Sequence, residues 1–378
     1  MYRKLATFGV SIALAAVSIH GAAAEPIRIG LVSEITGPNA EAGANTVNGA
    51  RLALEEVNKA GGVLGRMLEL KIEDNQSTNP GSVLAVSKLG SDGNIAALIA
   101  PIRSTQVQAA APTIAKLGLP TMIGGTDYGL THSGHVWLFR ARPNDSYSAK
   151  VIVDYGVNTL KKKKWAIVFS TDTFGTGGKN MVLEELKLLG VTPVLLQGYT
   201  NNTQDFTPIV LAIKQSGADI MASYIPFSTD AAILATQLRQ LGVNTPWIGS
   251  ATLVSDSTLR LAKDALNDTY SVSDFFADAN AEAQTYSKNY KQQFGRDADL
   301  YSGWSYDAVH ILALAMNRAK NTKPDDIRKE ILAIRGFKGV EGTYNFDKNG
   351  DGLHGYNIVK NDKGKIVFIK HTVFTPKE

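Results

Sequence analysis

The chain of 378 residues contains no cysteine. That excludes disulfides, thiolate metal sites, iron–sulfur clusters and a cysteine nucleophile. It also leaves no thiol for lipid attachment behind an export signal. An excess of one charge is missing too: 39 Lys and Arg against 35 Asp and Glu leave +4, spread along the chain. Such a dispersed balance gives no footprint for nucleic acid. Catalytic signatures are absent. There is no Gly-x-x-x-x-Gly-Lys-Ser/Thr loop, no His-Glu-x-x-His and no Gly-x-Ser-x-Gly elbow. An exported enzyme would need a base–nucleophile or metal constellation, so we expect a protein that is not an enzyme. With 35 Gly and 13 Pro the chain is neither collagen-like nor of low complexity, and 44% hydrophobic residues suffice for a large core. The length gives a prior of two to three domains at about 150 residues each.

One apolar run stands at the N-terminus. Arg3 and Lys4 precede a stretch from Leu5 to Ile19, which is followed by Ala22-Ala23-Ala24. A positive start, a short apolar centre and small residues before Glu25 read as a cleavable signal peptide over 1–24. The expected mature chain has 378 − 24 = 354 residues and is exported to a periplasm.

Beyond it, apolar runs alternate with amphipathic stretches. Ile27–Val32, Leu68–Ile72, Ile95–Ala100 and Leu119–Ile123 read as buried strands, with helices over Thr46–Lys59, Ser82–Leu89 and Thr105–Leu117. A second series follows Arg140: strands Trp165–Phe169, Val191–Leu195, Ile220–Tyr224 and Trp247–Ile248, with helices Gly178–Leu189, Asp205–Gln215 and Thr229–Leu241. This is βαβ alternation, hence mainly parallel sheets flanked by helices in an α/β protein. Three successive helices and three short strands close the chain, which suggests that it crosses between two lobes more than once.

Several local patterns imitate chemistry. His132 and His135 sit three apart in a Gly-rich loop without evident carboxylate neighbours. Gly175, Gly177 and Gly178 read as a Gly-rich turn but miss the dinucleotide register. Asp347 to Gly352 opens like a calcium loop, yet its twelfth position is Ile358 instead of glutamate, so a β-turn explains it better. Lys161 to Lys164 read as a solvated helix end.

The run from Asn48 to Arg66, with Gly49-Ala50-Arg51 and Asn58-Lys59-Ala60-Gly61-Gly62, resembles the first helix and turn of the periplasmic leucine/isoleucine/valine-binding proteins. Further matches are Ile35-Thr36-Gly37-Pro38, Glu73-Asp74-Asn75, Arg140 to Asp145, Asp172-Thr173-Phe174-Gly175 and Tyr306-Asp307-Ala308. The resemblance implies a two-lobed type I periplasmic binding protein fold, three crossover strands forming the hinge. Lobe one would be 25–142 plus 274–346, and lobe two 143–273 plus 347–378. It implies the solute receptor of an ABC importer, a monomer without cofactor or metal, docking on an inner-membrane permease with cytoplasmic ATPases. A free sensor protein of the same fold is the alternative.

The resemblance also places a ligand. Ile102 and Ser104, opening a helix after the third strand, would grip a carboxylate; Ser104 would otherwise only cap that helix. Gly124 and Thr126 would supply the next pair of contacts. Phe174 and Phe227 stand where the related proteins often carry tyrosines facing the cleft. Two departures weaken the amine half of the site. Ser250-Ala251-Thr252 holds no acid where a glutamate would meet an ammonium group, and Ala42 replaces a tyrosine. Asp127 or Asp230 could substitute, Thr252 marks the altered loop, and Arg103 would either add anion binding or point to solvent. The expected ligand is a small carboxylate with an apolar body: an aromatic or branched aliphatic acid, or an apolar amino acid held differently.

Overall fold

A computed structural model describes residues 24–375; the signal peptide read over 1–24 lies almost wholly outside them. The first series reads β1 (Ile27–Ser33), α1 (Ala40–Lys59), β2 (Leu68–Asp74), α2 (Asn79–Ser91), β3 (Ile95–Ile99), α3 (Ser104–Leu117), β4 (Thr121–Ile123), α4 (Gly129–His132) and β5 (Leu138–Arg140). These strands form one five-stranded sheet in the order β2-β1-β3-β4-β5, every pair parallel.

The second series runs α5 (Asp145–Asp154), β6 (Trp165–Ser170), α6 (Thr173–Leu188), β7 (Leu195–Tyr199), α7 (Thr207–Ser216), β8 (Ile220–Tyr224), α8 (Ser228–Gln240), β9 (Trp247–Gly249), α9 (Asp256–Ala262) and β10 (Tyr270–Ser273). Helices α10 (Ala281–Phe294), α11 (Leu300–Ala319) and α12 (Pro324–Leu332) return to the first sheet, where α11 packs along α1 around the buried Trp304. The small hairpin β11 (Phe337–Lys338) and β12 (Thr343–Tyr344) follows, then β13 (Gly355–Asp362) and β14 (Lys365–Val373). The second sheet has the order β14-β13-β10-β9-β8-β6-β7 and is parallel apart from the two C-terminal strands. The chain therefore passes between the sheets three times, after β5, after β10 and after β12.

Some boundaries differ from expectation for physical reasons. The strand read at Val191–Leu195 starts only at Leu195, since Pro193 has no N–H to donate and the Val191 amide still bonds Leu186 at the end of α6. Pro120 likewise delays β4 to Thr121. The glycines read as a turn at 175–178 lie inside α6, which Asp172 caps through the Gly175 amide at 2.9 Å. A Cβ at Gly178 would stand 2.0 Å from the Tyr224 ring, so its bareness lets helix and strand approach. The Asp347–Gly352 run is a turn, with Gly350 at φ +91°, and Ile358 pairs within β13.

Buried ion pairs tie the crossings together. Arg140, at the end of β5, meets Asp351 at 2.8 Å with both side chains fully buried. Its Nη1 donates to both the Gly125 and Asp127 carbonyls, each at 2.8 Å, and its Nη2 to the Thr131 hydroxyl at 2.7 Å. Arg142 pairs with Asp274 and donates to the Gly124 carbonyl at 3.0 Å. Asp351 also accepts from Thr131 and Asn144, which leaves neither oxygen free beside His132 and Asp347.

Candidate functional site

The loops at the carboxyl ends of β3, β4, β6, β8 and β9 converge on one cavity of about 230 Å³ between the two sheets. That is below the roughly 300 Å³ at which pockets for drug-sized molecules begin, so the space suits a small solute. Ligands of open parallel sheets sit beyond those strand ends because the loops there face the crevice.

Ser104 is the first residue of α3 and only 2% exposed. Its hydroxyl does not cap its own helix. It accepts the Asp127 amide at 3.1 Å, which leaves its O–H free to donate. Thr105 follows with a buried hydroxyl that has no partner among the described residues. The first amides of a helix have no intrahelical acceptor and carry the positive end of its dipole. Hydroxyl and amide donors therefore meet at the start of α3, where a carboxylate would be received without a dedicated cation.

Ile102, Arg103, Ser104, Thr126, Phe174, Phe227 and Thr252 all line the cavity. Phe174 leans on Tyr224 with ring centres 5.6 Å apart. Phe227 stands immediately before α8, after the strand neighbouring that of Phe174. Together the phenyl rings supply apolar cover on the second lobe. Gly124, Ala42 and Asp127 do not line it. The Gly124 carbonyl is held by Arg142, and a Cβ there would lie 2.9 Å from the Trp304 ring. Ala42 is buried in α1 within the first core. The Asp127 side chain turns to the Gly129 amide at 3.0 Å and packs against Gly177 of α6. Asp230 is fully buried and accepts the Asn202 amide at 3.1 Å, outside the lining. Arg103 does not point to solvent: its side chain is 11% exposed and pairs with Glu34.

The first crossing adds residues that sequence reasoning missed. Arg142, Asp145 and Ser148 face the cavity, as does Tyr356 of β13. Asp145 accepts the Thr126 hydroxyl at 3.1 Å and the Ser148 hydroxyl at 3.3 Å. Burial, and then the neighbouring Asp127 charge, push its carboxyl up to about 7. The signal for this cluster was the Arg140-x-Arg142 alternation within an otherwise apolar crossing, a costly pattern unless each guanidinium meets a distant carboxylate.

A sequence model of the family described as periplasmic binding protein matches residues 26–365. The Leu/Ile/Val-binding protein homolog 1 of Brucella abortus is 28% identical over 367 residues, covering 96% of this chain and 97% of that protein. The leucine-specific-binding protein of Salmonella typhimurium is 27% identical, covering 95% and 96%. Among solved structures, the isoleucine complex of a branched-chain amino acid transporter substrate-binding protein from Streptococcus pneumoniae superposes with TM-score 0.84 at 24% identity, covering 93% of this chain and all of that one. A solute-binding protein from R. palustris in complex with benzoate gives TM-score 0.84 at 17% identity, covering 92% and 97%.

Proposed function

The chain belongs to the periplasmic binding protein family, and from that premise we propose that it is the exported solute receptor of an ABC importer, taking a small carboxylate with an apolar body. The observation that carries this reading is the opposition of Ser104, its hydroxyl freed for donation by the Asp127 amide, to Phe174 and Phe227 across a cavity of about 230 Å³. Donors at the start of α3 meet the acid group, and the rings cover the rest of the molecule. Contacts from both lobes are complete only when the lobes are together, so solute shifts the open–closed balance by its differential affinity. The closed form would present both lobes to the permease. A micromolar affinity needs about −8 kcal/mol, within reach of a dry carboxylate site with aromatic cover. Export through a signal peptide cleaved before Glu25 and action in the periplasm belong to the same reading.

The lobe-two loop Ser250-Ala251-Thr252 lines the cavity without an acid. That loop offers a buried ammonium group no counter-charge, a lack worth several kcal/mol for unpaired buried ions, and the two acids of the lining are already engaged: Asp145 by the Thr126 and Ser148 hydroxyls, Asp172 by the Ser170 hydroxyl, the Gly175 amide and the Asn201 side chain. Calorimetry with benzoate, 4-methyl-2-oxopentanoate and L-leucine tests the reading. We expect the two amine-free acids to bind. Tight binding of leucine with no binding of its keto analogue would overturn it.

A further inference from the structure

Arg103 has no part in the carboxylate reading, yet it is one of the most constrained side chains in the cavity wall. It stands between β3 and α3 on the first lobe. Glu34, at the end of β1 and 1% exposed, meets it twice: Oε2 lies 3.3 Å from one terminal nitrogen, and Oε1 accepts from Nε at 3.4 Å. Glu34 is fixed in turn by the Asn39 side chain at 3.2 Å and the Gln106 side chain at 3.1 Å. The guanidinium charge is therefore answered within its own lobe. Its remaining terminal nitrogen crosses the cleft and donates to the Pro226 carbonyl at 2.6 Å. The guanidinium carbon lies 5.2 Å from the Phe227 ring centre on the second lobe and 5.3 Å from that of Tyr301 on the first.

We propose that Arg103 is a cross-cleft positioning residue: anchored by Glu34, it clamps the Pro226–Phe227 turn, sets the Phe227 ring over the solute and stabilises the closed arrangement through protein contacts alone. Three physical points support this. Pro226 lies between the end of β8 at Tyr224 and Phe227, the residue that caps α8, so holding its carbonyl fixes how Phe227 enters the helix. A charge-assisted hydrogen bond that is nearly dry is stronger than one at the surface. Other cross-cleft pairs, Thr173 with Gln108 and Arg260 with Glu41, are exposed and correspondingly weaker. The fork of a guanidinium is also required, because one group must satisfy Glu34 and Pro226 in different directions; a lysine ammonium is a single point charge.

The test exploits the lack of native cysteine. Spin labels at Leu84→Cys in α2 and Leu188→Cys in α6, both exposed on opposite lobes, report the interlobe distance by pulsed electron resonance. Protein freed of solute by unfolding and refolding is compared with Arg103→Lys and with the double variant Arg103→Met/Glu34→Gln, which leaves no buried charge behind. We expect the closed-to-open ratio to fall about tenfold or more in both, the size expected for losing a hydrogen bond to a charged group, at an unchanged circular dichroism spectrum. A ratio in Arg103→Lys equal to that of the unsubstituted chain would overturn the proposal, whether or not the double variant folds. No solute is present, so this outcome is independent of the calorimetric test of ligand class.

Discussion

The Ser104 hydroxyl accepts the Asp127 backbone amide at 3.1 Å, joining the loop after β3 to the loop after β4. This bond orients the hydroxyl hydrogen away from Asp127, and it makes the start of α3 a donor site whose one neighbouring cation, Arg103, is already paired with Glu34. Ser104→Ala should weaken binding of benzoate or another accepted acid by about 1–3 kcal/mol, as for a lost bond to a charged group. Calorimetry on the variant checks this; an unchanged dissociation constant would remove Ser104 from the site.

Phe174 and Phe227 are expected to contribute by area and ring contact. Truncating either to alanine should raise the dissociation constant by one to two orders of magnitude, corresponding to about 1.5–3 kcal/mol for an aromatic side chain removed from a buried contact. Phe227→Tyr should be nearly neutral for an apolar acid, because it retains the ring. Titrating the three variants against benzoate separates ring contact from hydrogen bonding.

The β/α alternation and the donor turn at Ser104 were legible because both are local. Apolar runs of four to six residues mark parallel strands, and a hydroxyl after such a run marks a strand-end loop. The ion pairs that lock the crossings were not legible, because their logic is long-range. Arg140 finds Asp351 across 211 positions, and Arg142 finds Asp274 across 132. No window along the chain shows that Asp145 will stand in the cavity, since its place depends on α5 starting where the first crossing ends. The β7 boundary was missed for another reason. An edge strand needs no continuous apolar run, and the run before it is spent on the turn containing Pro193.

The Arg140–Asp351 pair should matter to stability more than any surface ion pair. Both side chains are fully buried, and Arg140 also holds the Gly125 and Asp127 carbonyls of the loop that carries Thr126. Asp351→Ala leaves that guanidinium buried with its partner gone, which costs about 3–5 kcal/mol. Denaturant unfolding should show the loss. An exposed pair such as Lys88–Glu73 should change stability by less than about 1 kcal/mol when Lys88 is replaced by alanine.

The pH dependence of stability follows from carboxyls that burial has pushed upward. Asp145 and Asp299 are raised to about 7 and Asp307 to about 6, burial being the largest cause in each. In the unfolded chain these groups return to about 4. Between about pH 4 and 7 the folded protein therefore binds more protons than the unfolded one, and stability falls as pH rises through that window. Above it the contribution is constant. Asp351 acts in the opposite direction: burial alone would raise it, but Arg140 holds it below its ordinary value, so its contribution is present above about pH 4 and is lost as acid protonates it. The thermal midpoint should accordingly peak near pH 5, decline to about pH 7 and level off above it. Asp145→Asn removes one of the raised groups while keeping an oxygen to accept from Thr126 or Ser148. Its midpoint should fall less steeply between pH 5 and 7 than that of the unsubstituted chain, with the two curves differing most at pH 8. Parallel curves across pH 5–8 would show that Asp145 does not titrate there.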